Sequence, residues 1–352
     1  MADGLWSFVA FSSIVLLVVG PQATLVMAEK SQDGIDVLET GPENATFDQP
    51  GLKALHLESR YILGNSTYPK NAYFMSFSRD GKTLVSGDDT GTINLWNVDS
   101  GQPTRALSLP GCANYGLAIS PNGEMLASGC DDYSVKLREV SSGLEVRALS
   151  GHSNSVTSAA FSSDGSILAS GGGDAIIKLW EVPSGHLLNT LSGQFNNVNC
   201  LAFSQDSAIL VSGSYDSTIK LWDVTSGREL KTLSGHSGAV KCVSFSPDGR
   251  ILASSSDDAT IKLWDVPSGW ELQTMSGHTG SVSSISFSPD GRILASAGDD
   301  GVVTLWDIPS GKERFSIRNP SGPVKSVAFS PEGRTLAAGS SDGTIVLWEL
   351  TY

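Results

Sequence analysis

Residues 235–265 read GHSGAVKCVSFSPDGRILASSSDDATIKLWD, and related forms of this stretch recur along the chain. Near the end of this stretch a leucine is followed by a large side chain, and this pair recurs along the chain at a constant step of 42 residues. A repeat of fixed length indicates that one supersecondary unit has been copied. The seven copies of the pair are Leu95-Trp96, Leu137-Arg138, Leu179-Trp180, Leu221-Trp222, Leu263-Trp264, Leu305-Trp306 and Leu347-Trp348.

Each repeat contains four short segments with strand patterning. In the fifth repeat the first segment ends at Phe245, and residues 251–254, 260–264 and 271–275 follow, separated by Ser-Pro-Asp-Gly, Asp and Pro-Ser-Gly turns. Alternating polar and apolar residues bounded by turn residues predict strands. Four antiparallel strands per repeat predict one blade of a β-propeller, and therefore an all-β fold.

The repeats resemble those of the WD-repeat (WD40) family, which have Gly-His near the start and Trp-Asp at the end, as in Gly235-His236 and Trp264-Asp265. The resemblance covers residues 54–352 and implies a seven-bladed β-propeller of four-stranded antiparallel blades. The last repeat ends just past its third strand. The family pattern therefore implies that an N-terminal strand within residues 54–63 completes the last blade and closes the ring, which removes an exposed sheet edge.

The N-terminal region differs from the repeats. Residues 4–28 are uncharged, and the apolar run at residues 8–19 is followed by Gly20-Pro21 and by small residues at Val26 and Ala28. This pattern predicts a signal peptide over residues 1–28, with an uncleaved membrane anchor as the alternative. Residues 29–53 are acidic and turn-rich, which predicts a flexible linker. We therefore expect an exported protein, periplasmic or extracellular, or a membrane-anchored one.

The charge of the chain argues against nucleic acid as a partner. The formal net charge is −14, and residues 1–50 contain seven of the acidic residues and one basic residue. The rest of the chain is also acidic. Because binding to phosphates requires a basic face, we expect no nucleic-acid partner.

Four cysteines are too few for a disulfide framework. Cys200 and Cys242 occupy the same position of neighbouring repeats, where four of the other five repeats have a small residue, and are expected to be buried free thiols. Cys112 and Cys130 belong to the second repeat, and the family geometry brings their two positions to one face. A disulfide between them is therefore an option in an oxidising compartment, beside two free thiols.

Three repeats contain a serine, a histidine and an aspartate, a combination that could indicate nucleophilic catalysis. An active site is singular, however, whereas this set is repeated. It resembles the structural tetrad of the family, in which the histidine joins a turn carboxylate to a strand serine and tryptophan completes the network. The tetrads are His152, Ser170, Asp174 and Trp180; His236, Ser254, Asp258 and Trp264; and His278, Ser296, Asp300 and Trp306. No catalytic residue, cofactor site or metal site is expected, so the sequence indicates a protein that is not an enzyme.

Function is then expected on one rim of the propeller. In this family the usual docking surface consists of the loops that lead into each first strand and the turns between second and third strands. Aromatic residues there are typical binding anchors, and aspartates favour a basic partner; the alternative is that each has only a local structural role. The protein-binding candidates are Tyr73, Tyr115, Phe195, Asn199, Tyr215, Lys241, Lys325, Asp89, Asp131, Asp257 and Asp299.

Two functions remain open on the sequence. The first is a non-enzymatic scaffold of the WD-repeat type that binds a protein or peptide and contacts a membrane only through an uncleaved N-terminal segment. The aspartates favour a basic partner for it. The second is a propeller enzyme or small-ligand binder that uses the central channel. The departures from the repeat are single residues rather than a convergent polar cluster, which favours the scaffold.

Overall fold

The computed structural model of the chain describes residues 14–19, 24–31, 34–39, 56–63, 72–109, 112, 116–182, 184–319 and 321–351. Strands are the regular secondary structure of these ranges. They contain no helix with the length and apolar character needed to cross a lipid bilayer. The four strands before the first repeat are β1 (Ile14–Val19), β2 (Thr24–Ser31), β3 (Gly34–Glu39) and β4 (His56–Leu63).

The repeats form seven four-stranded antiparallel blades, as the sequence predicts, and the fold is a seven-bladed β-propeller. Six blades are sheets of their own, and the four strands of blade 6 belong to a seven-stranded sheet. Blade 1 consists of β5 (Ala72–Phe77), β6 (Thr83–Asp88), β7 (Thr92–Asn97) and β8 (Pro103–Ser108). Blade 2 consists of β9 (Leu117–Ile119), β10 (Met125–Gly129), β11 (Ser134–Glu139) and β12 (Glu145–Ser150), and blade 3 of β13 (Val156–Phe161), β14 (Ile167–Gly172), β15 (Ile176–Glu181) and β16 (Leu187–Ser192).

The remaining four blades follow the same order. Blade 4 consists of β17 (Val198–Phe203), β18 (Ile209–Ser214), β19 (Ile219–Asp223) and β20 (Glu229–Leu233), and blade 5 of β21 (Val240–Phe245), β22 (Ile251–Ser256), β23 (Thr260–Asp265) and β24 (Glu271–Ser276). Blade 6 consists of β25 (Val282–Phe287), β26 (Ile293–Gly298), β27 (Val302–Asp307) and β28 (Lys312–Arg318), and blade 7 of β29 (Val324–Phe329), β30 (Thr335–Ser340), β31 (Ile345–Thr351) and β4.

The core lies between neighbouring blades. Leu179 of blade 3 is fully buried and belongs to one apolar cluster with Leu210 and Trp222 of blade 4. Equivalent clusters fill the other blade boundaries. The Leu-Trp pair of the repeat therefore supplies both the strand pairing within a blade and the packing between blades, which explains its regular return along the sequence.

Strand β4 is the outermost strand of blade 7. It pairs antiparallel with β31, and Leu63 is opposite Ile345. Leu63 is buried. The outer strand of the last blade therefore comes from the N-terminal side of the repeats, so the two ends of the repeat region belong to one sheet.

Strands β1, β2 and β3 extend the sheet of blade 6. β1 runs parallel to the outer strand β28, and β2 and β3 continue the sheet as antiparallel neighbours. The other residues of the predicted signal or anchor segment (1–28) and of the predicted linker (29–53) lie outside the described residues. Both assignments, and the cleavage that the first implies, remain predictions.

Candidate functional site

One face of the propeller carries most of the candidate residues. This top face consists of the leading loop of each blade, which precedes its first strand, and the turn between the second and third strands. The backbone N–H of Ser153 in a leading loop donates to Asp174 Oδ2 in the turn of the same blade at 2.9 Å. The same bond joins Ser237 to Asp258 and Thr279 to Asp300, each at 2.9 Å. Loop and turn are thus held together at the same place in blade after blade.

The predicted tetrads form in blades 3, 5 and 6. In blade 3, His152 Nε2 lies 2.8 Å from Ser170 Oγ, and His152 Nδ1 lies 3.1 Å from the Asp174 carboxylate. Trp180 Nε1 donates to Ser170 Oγ at 2.8 Å. The equivalent contacts of His236 with Ser254 and Asp258, and of His278 with Ser296 and Asp300, are between 2.7 and 2.9 Å.

A neutral imidazole satisfies every member of such a network. The tryptophan donates to the serine oxygen, the serine hydroxyl donates to Nε2, and Nδ1–H donates to the carboxylate. Burial lowers the pKa of His152 and of His236, which favours this neutral form. Burial also acts to raise the pKa of Asp258, but hydrogen bonds from Thr260, the Ser237 amide and His236 outweigh it and lower that pKa to about 2.

Blade 4 builds the same connection without histidine. Gln194 Nε2 donates to Ser212 Oγ at 2.7 Å, and Trp222 Nε1 donates to the same oxygen at 2.9 Å. The backbone N–H of Phe195 donates to Asp216 Oδ2 at 2.8 Å, as the corresponding serine and threonine amides do elsewhere. Glutamine therefore keeps the leading loop attached to the second strand.

Blade 2 replaces the tetrad by a disulfide. Cys112 in the leading loop is bonded to Cys130 at the end of the second strand, so the disulfide that the sequence left open is confirmed. Cys130 occupies the position of Gly172 in blade 3 and of Ser256 in blade 5, so a small side chain is accommodated at this place in more than one blade.

The other two replacements are partial. In blade 1, Trp96 Nε1 donates to Ser86 Oγ at 2.9 Å. In blade 7 the serine of the second strand is Ala338, and Asn319 Nδ2 in the leading loop instead donates to Ser340 Oγ. Blades 1, 2 and 7 have another residue at the position of the tetrad histidine, and these residues lie outside the described ranges. They are Tyr68, Pro110 and Pro320. Blades 1 and 7 therefore retain a shorter polar link at the top face.

Four candidate residues, each the second residue of the first strand of its blade, meet at the mouth of the central channel. They line a cavity of about 330 Å³ together with two of the turn aspartates. This cavity shares residues with a second one of about 550 Å³, which lies between the first strands of the blades. The mouth is lined by Tyr73, Thr157, Asn199, Lys241, Asp257, Ser281, Ser283, Asp299 and Lys325.

Charges at the mouth are paired across blades 4 to 7. Lys241 Nζ lies 3.1 Å from Asp257 Oδ2 and 5.9 Å from the centre of the Tyr215 ring. Lys325 Nζ lies 2.6 Å from Asp299 Oδ1. Two of the four candidate aspartates are therefore neutralised by the two candidate lysines, which weakens the charge argument for a basic partner on this side of the face.

The remaining candidates lie outside this cavity or outside the described residues. Asp131, Phe195 and Tyr215 are exposed, and Asp89 is half-buried. Asn199 Nδ2 donates to the Val240 carbonyl of the next blade at 2.9 Å, so part of its side chain has a structural role. Tyr115 lies outside the described residues.

Cys200 and Cys242 are free, as expected, but they are half-buried rather than enclosed. Both line the larger cavity. Burial raises the pKa of both thiols, which keeps them protonated, and Cys242 Sγ donates to the Ile285 carbonyl at 3.8 Å. These thiols are only partly covered because the first strands surround an open channel.

Among the described residues there is no cluster of three His, Cys, Asp or Glu side chains that could hold a metal ion. The tetrad serines have the hydrogen-bond geometry of a catalytic serine beside a histidine and an aspartate. Ser170, Ser254 and Ser296 are nevertheless fully buried. Each also accepts a hydrogen bond from a tryptophan, so its oxygen is closed to a substrate.

A family model for the WD domain, G-beta repeat, matches the chain seven times and covers more than half of it. The matched segments are residues 65–97, 107–138, 143–181, 185–223, 227–265, 269–307 and 311–349. The chain belongs to the WD40 repeat family. A search of curated proteins finds no match for this chain. WD40 propellers are generally non-enzymatic protein-interaction scaffolds, and they bind proteins or peptides.

Sequence reasoning missed one exposed residue of the WD40 top face. Tyr133 follows the turn aspartate of blade 2, is 46% exposed and has a φ of 70°. All seven blades have a positive φ at this position. The other residues there are small, namely Gly91, Ala175, Ser217, Ala259, Gly301 and Gly343. An aromatic residue in a column of small ones was the available signal.

The tetrad of the WD40 propeller predicts a specific response to substitution and pH. His236→Ala should lower the free energy of unfolding by about 2–3 kcal/mol, because Ser254 and Asp258 lose a buried partner. His236→Gln should lose less than half as much, since Gln194 makes the equivalent bond in blade 4. Denaturant unfolding at pH 7 measures both losses.

The pH dependence of stability gives a second test of the tetrad with the same variants. Because burial lowers the pKa of His236, its neutral form contributes stability fully above the unfolded pKa of about 6.5, and this is lost as the pH falls. His236→Gln should therefore show a shallower loss of stability between pH 7 and 5 than the unmodified protein. Equal slopes, or equal losses for the alanine and glutamine variants, would contradict this account of the tetrad.

The disulfide predicts how many thiols react. Under denaturing conditions, with thiols trapped at isolation, a polyethylene-glycol maleimide should add to two cysteines, Cys200 and Cys242, before reduction and to four after it. Gel mobility counts the adducts, and Cys130→Ser should give three adducts with or without reductant. Four adducts without reductant would show that Cys112 and Cys130 are not joined.

Proposed function

We propose that this WD40 propeller is a non-catalytic scaffold that binds a protein or peptide on its top face. The observation that carries the proposal is the state of the three Ser-His-Asp sets, whose serines are fully buried and already hydrogen-bonded to tryptophan. Because no substrate can reach these serines, the role of the three sets is to hold the leading loops in place. The accessible chemistry of the described blades therefore lies in the exposed loop and turn side chains.

The partner is proposed to carry at least one basic residue. Asp257 and Asp299 are paired with lysines, but Asp131 is exposed and makes no hydrogen bond or ion pair with the described residues. An unpaired carboxylate on a docking face favours lysine or arginine opposite it, and it selects partners more than it adds affinity. The acidic character of the chain supports the same choice and disfavours nucleic acid.

The propeller is proposed to act outside the cytoplasm or at a membrane surface. The apolar residues 8–19 support an export signal or an anchor, and the Cys112–Cys130 disulfide favours an oxidising compartment, periplasmic or extracellular. Contact with a membrane would then come from an uncleaved N-terminal segment. The partner is accordingly sought in the envelope or the secreted fraction.

A small-ligand function of the channel is the second candidate. The cavity of about 550 Å³ between the first strands falls within the size range of small-molecule sites. Its lining includes the half-buried Cys200 and Cys242 thiols and several serines. The scaffold is preferred because the hydroxyl and thiol groups of Ser158, Ser326 and Cys242 already donate to backbone carbonyls of the neighbouring blade.

Site-specific photo-crosslinking in the producing cell tests the scaffold. A benzoylphenylalanine can replace Gly173 in the turn of blade 3. An added Cβ there would meet the Asn154 side chain at 3.1 Å, and blade 4 accommodates Tyr215 beside the equivalent Asn196. The benzoylphenylalanine should yield a crosslinked polypeptide. The control is the same group at Leu144, which is 69% exposed in a turn on the opposite face. Crosslinks from Leu144 but none from Gly173, or none from either, would contradict binding on the top face.

A further inference from the structure

Three exposed aromatic residues occupy top-face positions at which the other blades have small or polar side chains. Phe195 is 88% exposed, Tyr215 54% and Tyr133 46%. In each case the backbone makes the same contacts in the other blades without the aromatic group. The fold therefore does not require these side chains, and each exposes apolar surface to solvent.

Phe195 shows this for a leading loop. Its backbone N–H donates to Asp216 Oδ2 at 2.8 Å. Ser153, Ser237 and Thr279 make the equivalent bond at 2.9 Å with small polar side chains. The loop of blade 4 is thus held by the same backbone bond, and the phenyl ring is an addition to it.

Tyr215 shows the same for a turn. Its backbone N–H donates to the Asn197 carbonyl at 3.0 Å. Gly173, Asp257 and Asp299 make this bond at 2.8 to 2.9 Å in their own blades. Since these hydrogen bonds tie the turn of blade 4 to the leading loop that carries Phe195, the two aromatic rings stand on one connected loop pair.

Tyr133 is present at a cost to the fold. Its φ of 70° lies in the left-handed region, where a bulky side chain is disfavoured and glycine is not. Glycine occupies the equivalent position in blades 1, 6 and 7, at φ between 75° and 83°. An unfavourable residue that the fold does not require is a feature of functional sites.

The top face between these aromatic residues has small turn side chains on blade 3, and Asp131 on blade 2 has no partner among the described residues. Blade 3 lies between blades 2 and 4, and its turn has the small residues Gly173 and Ala175 at the positions of Tyr215 and Tyr133. Asp131, in the same turn as Tyr133, is exposed and unpaired with respect to the described residues, whereas Asp257 and Asp299 are bound by lysines. The aromatic residues and Asp131 therefore lie on blades 2 and 4. The paired charges lie on blades 5 to 7, and one of them, Lys241 Nζ, is 5.9 Å from the centre of the Tyr215 ring.

We propose that Tyr133, Phe195, Tyr215 and Asp131 form one docking surface across blades 2 to 4 for an extended polypeptide segment. The segment carries a lysine or arginine that pairs with Asp131, and aliphatic or aromatic side chains that pack on the rings of Phe195 and Tyr215. This inference rests on the proposed scaffold function and specifies its partner. Rigid aromatic groups are suited to this role because they lose little conformational entropy on binding.

The test is selection of a phage-displayed library of random 12-residue peptides on the full chain, followed by fluorescence polarisation with the selected peptides. The variants give each position an uncharged residue that another blade has there, Phe195→Ser, Tyr215→Ser and Tyr133→Gly, and Asp131→Asn removes the charge. Selected peptides should contain a basic residue beside apolar ones. Each variant should weaken binding by about tenfold or more.

Two controls separate binding from folding. Tyr133→Gly should melt at the same temperature as the unmodified protein or higher, because the left-handed backbone is easier for glycine. Trp270, 75% exposed on the opposite face, can be changed to the leucine that blade 2 has at residue 144, and Trp270→Leu should leave affinity within about twofold.

The outcomes distinguish this surface from the scaffold function itself. Peptides that bind all four variants as tightly as the unmodified protein would overturn the docking surface and leave a scaffold that binds elsewhere. Peptides without a basic residue, or insensitive to Asp131→Asn, would overturn the assigned partner chemistry. Selection of no binding peptide would count against the scaffold function as well, on which the photo-crosslinking at Gly173 decides separately.

Discussion

In blades 2 to 6 the top face depends on one connection between the leading loop and the second strand. In blades 3, 5 and 6 a histidine makes it, in blade 4 Gln194 does, and in blade 2 the Cys112–Cys130 disulfide does. The turn aspartate adds a bond to a backbone amide of the loop. Buried polar groups are costly when unpaired, so the residues that make this connection in each of these blades also satisfy one another.

Because the loops and turns are held by backbone hydrogen bonds within each blade, the exposed side chains on them are free to vary. The same backbone bond carries serine, threonine or Phe195, and the same turn carries glycine, aspartate or Tyr215. Differences between blades are therefore differences in the surface offered to a partner, with little change in the fold. The half of the face with paired lysines and aspartates and the half with aromatic residues and Asp131 are two results of this freedom.

The sequence predicts what is local to one repeat. The blades follow from the period of 42 residues. The three tetrads follow from the resemblance to the WD-repeat family, and the four members of each lie within a single repeat. Contacts between units could not be predicted: the pairing of Lys325 with Asp299 joins two blades, and it depends on how the ring brings them together. The prediction that Cys200 and Cys242 are buried was wrong for the same reason. The width of the channel beside them depends on how all the blades are arranged in the ring. Tyr133 was missed although the sequence shows an aromatic residue where other repeats have small ones; its positive φ is visible only in the structure.

Hydrogen exchange of four backbone amides tests most directly whether the aromatic side chains sit on a frame shared by all these blades. They are the amides of Ser153, Phe195, Ser237 and Thr279, each of which donates to the turn aspartate of its blade. The account predicts that the Phe195 amide is protected from exchange to the same degree as the other three. Exchange of the Phe195 amide at the rate of an unprotected loop, with the other three slow, would contradict it.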